Sequence, residues 1–192
     1  MADPELDGGG GGGGTPYIDW QTDLTDALPS SAFSAHTQDP LGGPEQAFDG
    51  NPDTNYVSGD YPTSFLWETP GAFIQVQFPT PVRVAGLTMQ ACFNEGPPSY
   101  CQDGMPAVFE LQYSDDGQTW HGVNLWDYVH PTYLPYEQGS AKGYGLPRAL
   151  VPATGHAYWR IKVWRVYGRI HQDDYAPTVV VNNIQLHPFI EQ

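Results

Sequence analysis

The stretch FDGNPDTNY, residues 48–56, places Asp49, Asn51, Asp53 and Asn55 at alternate positions, threads Gly50 and Pro52 between them, and sets Thr54 just ahead of Asn55 and Tyr56. Carboxylates, amide carbonyls and hydroxyls are hard oxygen donors, the chemistry that calcium selects. Gly and Pro keep the segment out of a helix interior. It is therefore either a solvated turn or a loop that wraps a cation. An EF-hand is a poor match, because that loop needs Gly where Thr54 stands, Glu where Asp60 stands, and helices on both sides.

Catalytic chemistry finds little footing. No G-x-S-x-G, P-loop, H-E-x-x-H or clustered Cys/His site occurs, so the chain is not expected to be an enzyme. Asp173 and Asp174 form an acidic pair, but adjacent side chains on a loop rarely converge on one bond, and solvation explains them better. His121 and His187 stand alone at strand ends, without a partner at metal-ligand spacing. Cys92 and Cys101 flank FNEGPPSY and are either a small clasp or two reduced thiols.

Composition narrows the partners. Seven Lys and Arg against 22 Asp and Glu give a formal charge of −15, which repels nucleic acid and anionic membrane surfaces. Twelve tyrosines, each a flat apolar face with a polar tip, suit glycan or protein recognition. The start, MADPELD followed by Gly8 to Gly14, lacks the basic and apolar regions of a secretory signal, and no apolar run is long enough to insert in a membrane.

These side chains need a scaffold to position them. Residues 1–16 read as a flexible Gly-rich leader, and 17–44 as an anchoring arm whose Tyr17, Ile18 and Trp20 are apolar enough to dock on a domain or a partner. From residue 45 to 192 strand signals dominate. FIQVQF (73–78) and VFELQYS (108–114) alternate strictly; 82–91, 119–125, 148–153, 158–166 and 178–186 are β-rich. Nineteen prolines and 22 glycines leave little room for a long helix, so an antiparallel β-sandwich is expected. Trp67, Trp120, Trp159 and Trp164 lie in or beside these strands and read as core or sheet-edge residues.

QAFDGNPDTNYVS, FIQVQFPTPVRVAGLTM, FELQYSDDGQTW, AYWRIKVW and VNNIQLHPF resemble, in that order, the strands of the discoidin domain, or coagulation factor five/eight type C domain, over about residues 45–189. The DGNPDT turn and the YSDDGQTW hairpin are the most specific parts. The nearest branch is the family's carbohydrate-binding modules, which implies an all-β, eight-stranded jelly roll of the galactose-binding-like type with a structural calcium. The ligands implied are the Gln46 carbonyl, the Asp49 carboxylate, the Asn51 carbonyl, the carbonyl and hydroxyl of Thr54, and the Asn182 carbonyl. Asn183 stands where the family usually has a glutamate, leaving one formal negative charge instead of two and a weaker site.

The resemblance also implies ligand-binding loops at one end of the sandwich: 58–67, 92–104 and 166–175. Sugar recognition needs an aromatic face against the C–H side of the ring and planar hydrogen-bonding groups around the hydroxyls. Tyr61, Phe93, Asn94, Tyr100, Arg169, His171, Asp173 and Tyr175 supply those groups, although 92–104 lacks the basic residue of the sugar-binding relatives. The expected function is a non-catalytic module binding cell-surface or matrix glycans, extracellular or on a virion surface. The alternative is a structural or decoration protein of a virion or surface assembly, forming a homo-oligomer or docking through residues 15–44.

Overall fold

Alternation along residues 73–78 puts Ile74, Val76 and Phe78 on one side of the chain, and all three are buried. The structure is a computed structural model that describes residues 17–38, 42–51, 54–58, 68–90, 105–127, 141–166 and 179–191, with backbone alone for 68–71. Ten strands are described: β1 (Phe33–Ala35), β2 (Tyr56–Val57), β3 (Glu68–Val82), β4 (Val84–Gln90), β5 (Pro106–Ser114), β6 (His121–Asp127), β7 (Ala141–Gly145), β8 (His156–Val166), β9 (Val180–Val181) and β10 (Asn183–Pro188). No helix among the described residues is long and apolar enough to cross a membrane.

All pairings between these strands are antiparallel. A five-stranded sheet of order β1-β3-β8-β5-β6 faces a three-stranded sheet, β10-β4-β7, and β2 pairs separately with β9. The fold is an antiparallel β-sandwich. Ile74, Val76, Phe109, Leu111, Trp159, Ile161 and Val163 from the larger sheet share one core with Leu87, Met89, Tyr144, Ile184 and Leu186 from the smaller. Pro79 and Pro81 fall where the β3–β8 register shifts, between Gln77 and Val82, so their missing N–H groups do not interrupt the regular ladder.

Two expected strands are corrected. Residues 148–153 form a short 3₁₀ turn, Arg148–Leu150, because Pro147 and Pro152 flank it and its N–H bonds close locally, Leu150 to Pro147 and Val151 to Arg148. The 178–186 run divides at Asn182 into β9 and β10. With the short strands β1, β2 and β7 added, the described residues hold ten strands in place of eight.

Residues 17–35 pack onto the same sandwich. Ile18 bridges Phe189, Leu24 N–H donates to the Leu186 carbonyl, and the Tyr17 hydroxyl donates to the Leu146 carbonyl at 2.6 Å. Trp20 lies over the outer face of the three-stranded sheet, where a Cβ on Gly86 would come within 2.9 Å of its ring and one on Gly143 within 3.2 Å. Those glycines provide the flat floor on which the indole rests. Its edge meets His187, with ring centroids 4.9 Å apart.

Candidate functional site

The oxygen-rich loop begins at a 3₁₀ turn, Pro44–Ala47, whose buried exit residue Phe48 stacks on Phe33 with centroids 4.6 Å apart. That contact fixes where Asp49 starts. Asp49 Oδ1 accepts the Asn51 N–H at 2.9 Å, a side-chain-closed turn that Gly50 completes with φ of +67°. The Thr54 hydroxyl lies 2.7 Å from Asp49 Oδ2 and 3.1 Å from the Asn51 carbonyl, so its single proton has two acceptors. Thr54 N–H also donates to the Asn51 carbonyl, at 3.3 Å.

The other half of the site arrives from the end of the chain. The Asn182 side-chain nitrogen donates to the Thr54 carbonyl at 2.6 Å, and the Asn182 main-chain N–H donates to the Gln90 carbonyl at 3.2 Å. β2 pairing with β9 holds the two segments in register beside this contact. The structure therefore gathers Asp49, Asn51, Thr54 and Asn182 into one bonded set. Gln46 stands in the 3₁₀ turn that leads into it, its N–H bonded to Gly43.

The donor chemistry fits calcium. Carboxylate, hydroxyl and carbonyl oxygens, all hard donors, lie together here, with Asp49 the one carboxylate in the bonded set. Asn183 Oδ1 is a buried oxygen with no hydrogen-bond partner among the described residues. An orphaned acceptor costs free energy, and a cation would satisfy it.

Tyr61, Phe93, Asn94, Tyr100, Arg169, His171, Asp173 and Tyr175 lie outside the described residues, as do Cys92, Cys101 and Trp67. The roots of their loops are described, and they meet. Ser58 N–H donates to the Val179 carbonyl at 2.9 Å, and Val179 N–H to Ser58 Oγ at 2.7 Å, joining the start of the first loop to the end of the third. Pro106 pairs with Val166 and Glu68 with Arg165, joining the ends of the second and first loops to the start of the third. Gln90, where the second loop departs, pairs with Asn183 beside the oxygen-rich loop.

The roots of all three loops and the oxygen-rich loop thus share one end of the sandwich. A further connection, 128–140, is rooted there too, through Asp127 opposite Val108 and Ala141 opposite Gln90. It is not among the loops that the resemblance implies. Its signal was available in Tyr128, Tyr133 and Tyr136, the same aromatic and turn-rich composition as the other loops.

The isolated residues resolve as structure. Buried His187 makes a 3.0 Å bond from Nδ1 to the Thr22 carbonyl, which must accept, so Nδ1 carries the proton; Nε2 is 2.8 Å from Thr88 Oγ1. His121 opens β6 beside the Tyr113 ring. Trp159 is fully buried in the core, whereas Trp164 is 38% exposed.

The family model for the F5/8 type C domain matches residues 30–133, more than half the chain. The chain belongs to this family. No curated protein matches it. Among solved structures, a CBM32 module of a family 31 glycoside hydrolase from Clostridium perfringens superposes with a TM-score of 0.61 at 15% identity, over 85% of this chain and 94% of the other. The family 32 module of Clostridium perfringens NanJ, solved with galactose, gives 0.55 at 14%, over 84% and 98%. CpGH89CBM32-5 of the same organism, solved with GalNAc-β-1,3-galactose, gives 0.58 at 14%, over 83% and 97%. At such identities the likeness is one of fold.

Proposed function

We propose that this chain is a non-catalytic carbohydrate-binding module of the F5/8 type C domain family, with its glycan site at the end of the sandwich where loops 58–67, 92–104 and 166–175 are rooted. The observation that carries this reading is the meeting of those roots through Ser58–Val179, Pro106–Val166 and Glu68–Arg165. Three segments rich in aromatic and planar polar residues leave one rigid platform side by side. The solved relatives bound to galactose and to GalNAc-β-1,3-galactose support a sugar as the ligand. Calcium is proposed as a structural ion held by Asp49, Asn51, Thr54, Asn182 and the Gln46 carbonyl, with the Asn183 oxygen beside it. It would fix the oxygen-rich loop against the base of the platform.

A single aromatic platform with a few hydrogen bonds loses most of its gross energy to desolvation and ordering, leaving a dissociation constant of roughly 0.1–1 mM per site. Useful binding then calls for several copies, as an oligomer or on a multi-copy extracellular or virion surface. A glycan array probed with multimerised protein tests the reading. Signal on a defined glycan class, lost in Tyr61→Ala or His171→Ala, is expected. A blank array at high valency would overturn it.

A further inference from the structure

The outer face of the five-stranded sheet carries a second set of recognition chemistry, running along β8 from the β5–β6 hairpin toward the loop end. Pairing places Phe73 and Gln75 of β3, Arg160 and Lys162 of β8, and Glu110 and Gln112 of β5 on this face. The opposite side of the same strands is the core. The outer face of the smaller sheet is covered by Trp20, but on the larger sheet Trp164 and Leu125 remain 38% and 54% exposed.

Arg160 is held as a fixed fork. Its guanidinium carbon lies 4.0 Å from the centroid of the Trp120 ring and 5.1 Å from that of Phe73. Its Nε donates to Gln112 Oε1 at 2.7 Å, and Gln112 Nε2 in turn donates to Glu110 Oε2 at 2.6 Å. Among the described residues, the terminal nitrogens of Arg160 meet no acceptor and no acid lies within ion-pair distance. Lys162 extends its Nζ over the Trp164 ring, 3.8 Å from the centroid, and it too lacks an acidic partner among the described residues.

Glu110, opposite Lys162 on β5, acts on Arg160 through its charge but makes no ion pair with either cation among the described residues. Glu110 lies over Gly122 of β6, where any Cβ would collide with its Oε1, and so turns from β8 toward the opposite neighbour. In a chain with 22 acids and seven bases, Arg160 and Lys162 are two adjacent cations on an aromatic face that make no ion pair among the described residues, with Glu110 the acid placed beside them. The partial burial of Arg160 strengthens what it offers. A guanidinium stacked between rings keeps its planar donors aimed and poorly hydrated, the arrangement that takes a carboxylate bidentately.

We propose that this sheet face is a second ligand site, binding an acidic oligosaccharide laid along β8, with a sugar carboxylate on the Arg160 fork and a neighbouring ring beside Lys162 and Trp164. The strand rise puts Arg160 and Trp164 roughly 13 Å apart, more than one pyranose spans, so the ligand is an oligomer and not a monosaccharide. The half-buried amide of Gln75, opposite Arg160, faces sugar hydroxyls. This site uses none of the loop residues proposed above, so its variants and those of the loop-end site test the two readings separately.

The test is NMR titration of the full chain with tri-galacturonate, following the indole N–H signals of Trp120 and Trp164 and the Arg160 Nε–H. Saturable shifts of all three are expected, with a dissociation constant of roughly 0.1–1 mM that weakens with added salt. Arg160→Gln or Lys162→Gln should weaken binding about tenfold, and Glu110→Gln should tighten it two- to fivefold by removing the like charge. If Arg160→Gln does not fold, the Lys162 and Glu110 variants decide. The proposal is overturned by an absence of shifts at tenfold the expected dissociation constant, by shifts confined to signals outside these residues, or by equal binding of the methyl ester or of tri-glutamate.

Discussion

The side-chain amide of Asn182 donates to the main-chain carbonyl of Thr54 at 2.6 Å, across 128 residues of sequence. This bond joins the end of the oxygen-rich loop to the junction of β9 and β10. It makes the loop part of the sheet end where the roots of the three loops meet, so an ion bound there would be coupled to global folding.

Calcium removal should therefore lower stability, because the folded loop would bind the ion and the unfolded chain would not. At a calcium concentration a hundredfold above its dissociation constant, the linkage is worth about 2.7 kcal/mol. In a domain of this size that is a fall in Tm of about 5–10 °C on chelation. Asp49→Ala should remove the chelator sensitivity. Identical melting curves with and without chelator, in protein shown by elemental analysis to be loaded, would refute the structural-calcium reading.

Asn183→Glu should act in the opposite direction. It adds a carboxylate next in sequence to Asn182, at a position whose side-chain oxygen is already buried without a partner among the described residues. Calcium affinity measured by titration calorimetry should rise about tenfold, or about 1.4 kcal/mol. Unchanged affinity would place residue 183 outside the ion's shell.

How much of this was legible in the sequence follows from how local each signal is. The β5–β6 hairpin was readable because Ser114, Asp116 and Gly117 close their own turn, with Gly117 at φ of +70°. The oxygen-rich loop was readable for the same reason, since Asp49, Asn51 and Thr54 bond one another. The seat of Trp20 was not, because Gly86 lies inside the β-rich run 82–91 and Gly143 in no expected strand, and only distant pairing lays them under one ring. Residues 148–153 misled because Ala149, Leu150 and Val151 have strand composition while Pro147 and Pro152 deny them a ladder. The Arg160 fork was invisible, since it joins Phe73, Gln112 and Trp120 from separate parts of the chain.

Gly86→Ala tests whether the N-terminal segment is integral to the domain. The added Cβ would lie 2.9 Å from Trp20 and 3.2 Å from Ile18, so the indole must shift from its seat at about 1–3 kcal/mol. In a Trp20→Ala background the same change should be nearly neutral. A double-mutant cycle by urea unfolding should give a coupling of about 0.5–3 kcal/mol. Additive effects would show that residues 17–24 do not depend on that contact.

The hairpin at Asp116 sets an acid-side limit on stability. Its Oδ1 accepts the N–H groups of Thr119 and Gln118, at 2.7 and 2.8 Å, and the Ser114 hydroxyl. Foremost among these, the Thr119 bond holds the carboxyl well below its ordinary 3.8. A depressed folded value means that the unfolded chain binds protons first as pH falls. The contribution is thus fully present above the ordinary value and is lost progressively as pH drops below it toward the folded one. Asp23 runs the other way: burial pushes its carboxyl up, although the bonds from Thr25 and Leu186 oppose this, so its contribution is present at low pH and fades as pH rises through the folded value. Thermal melts between pH 2.5 and 6 should show a steeper acid-side fall for the wild type than for Asp116→Asn, which keeps one acceptor oxygen but cannot ionise. Parallel curves would mean that the Asp116 turn is equally well formed in the unfolded chain.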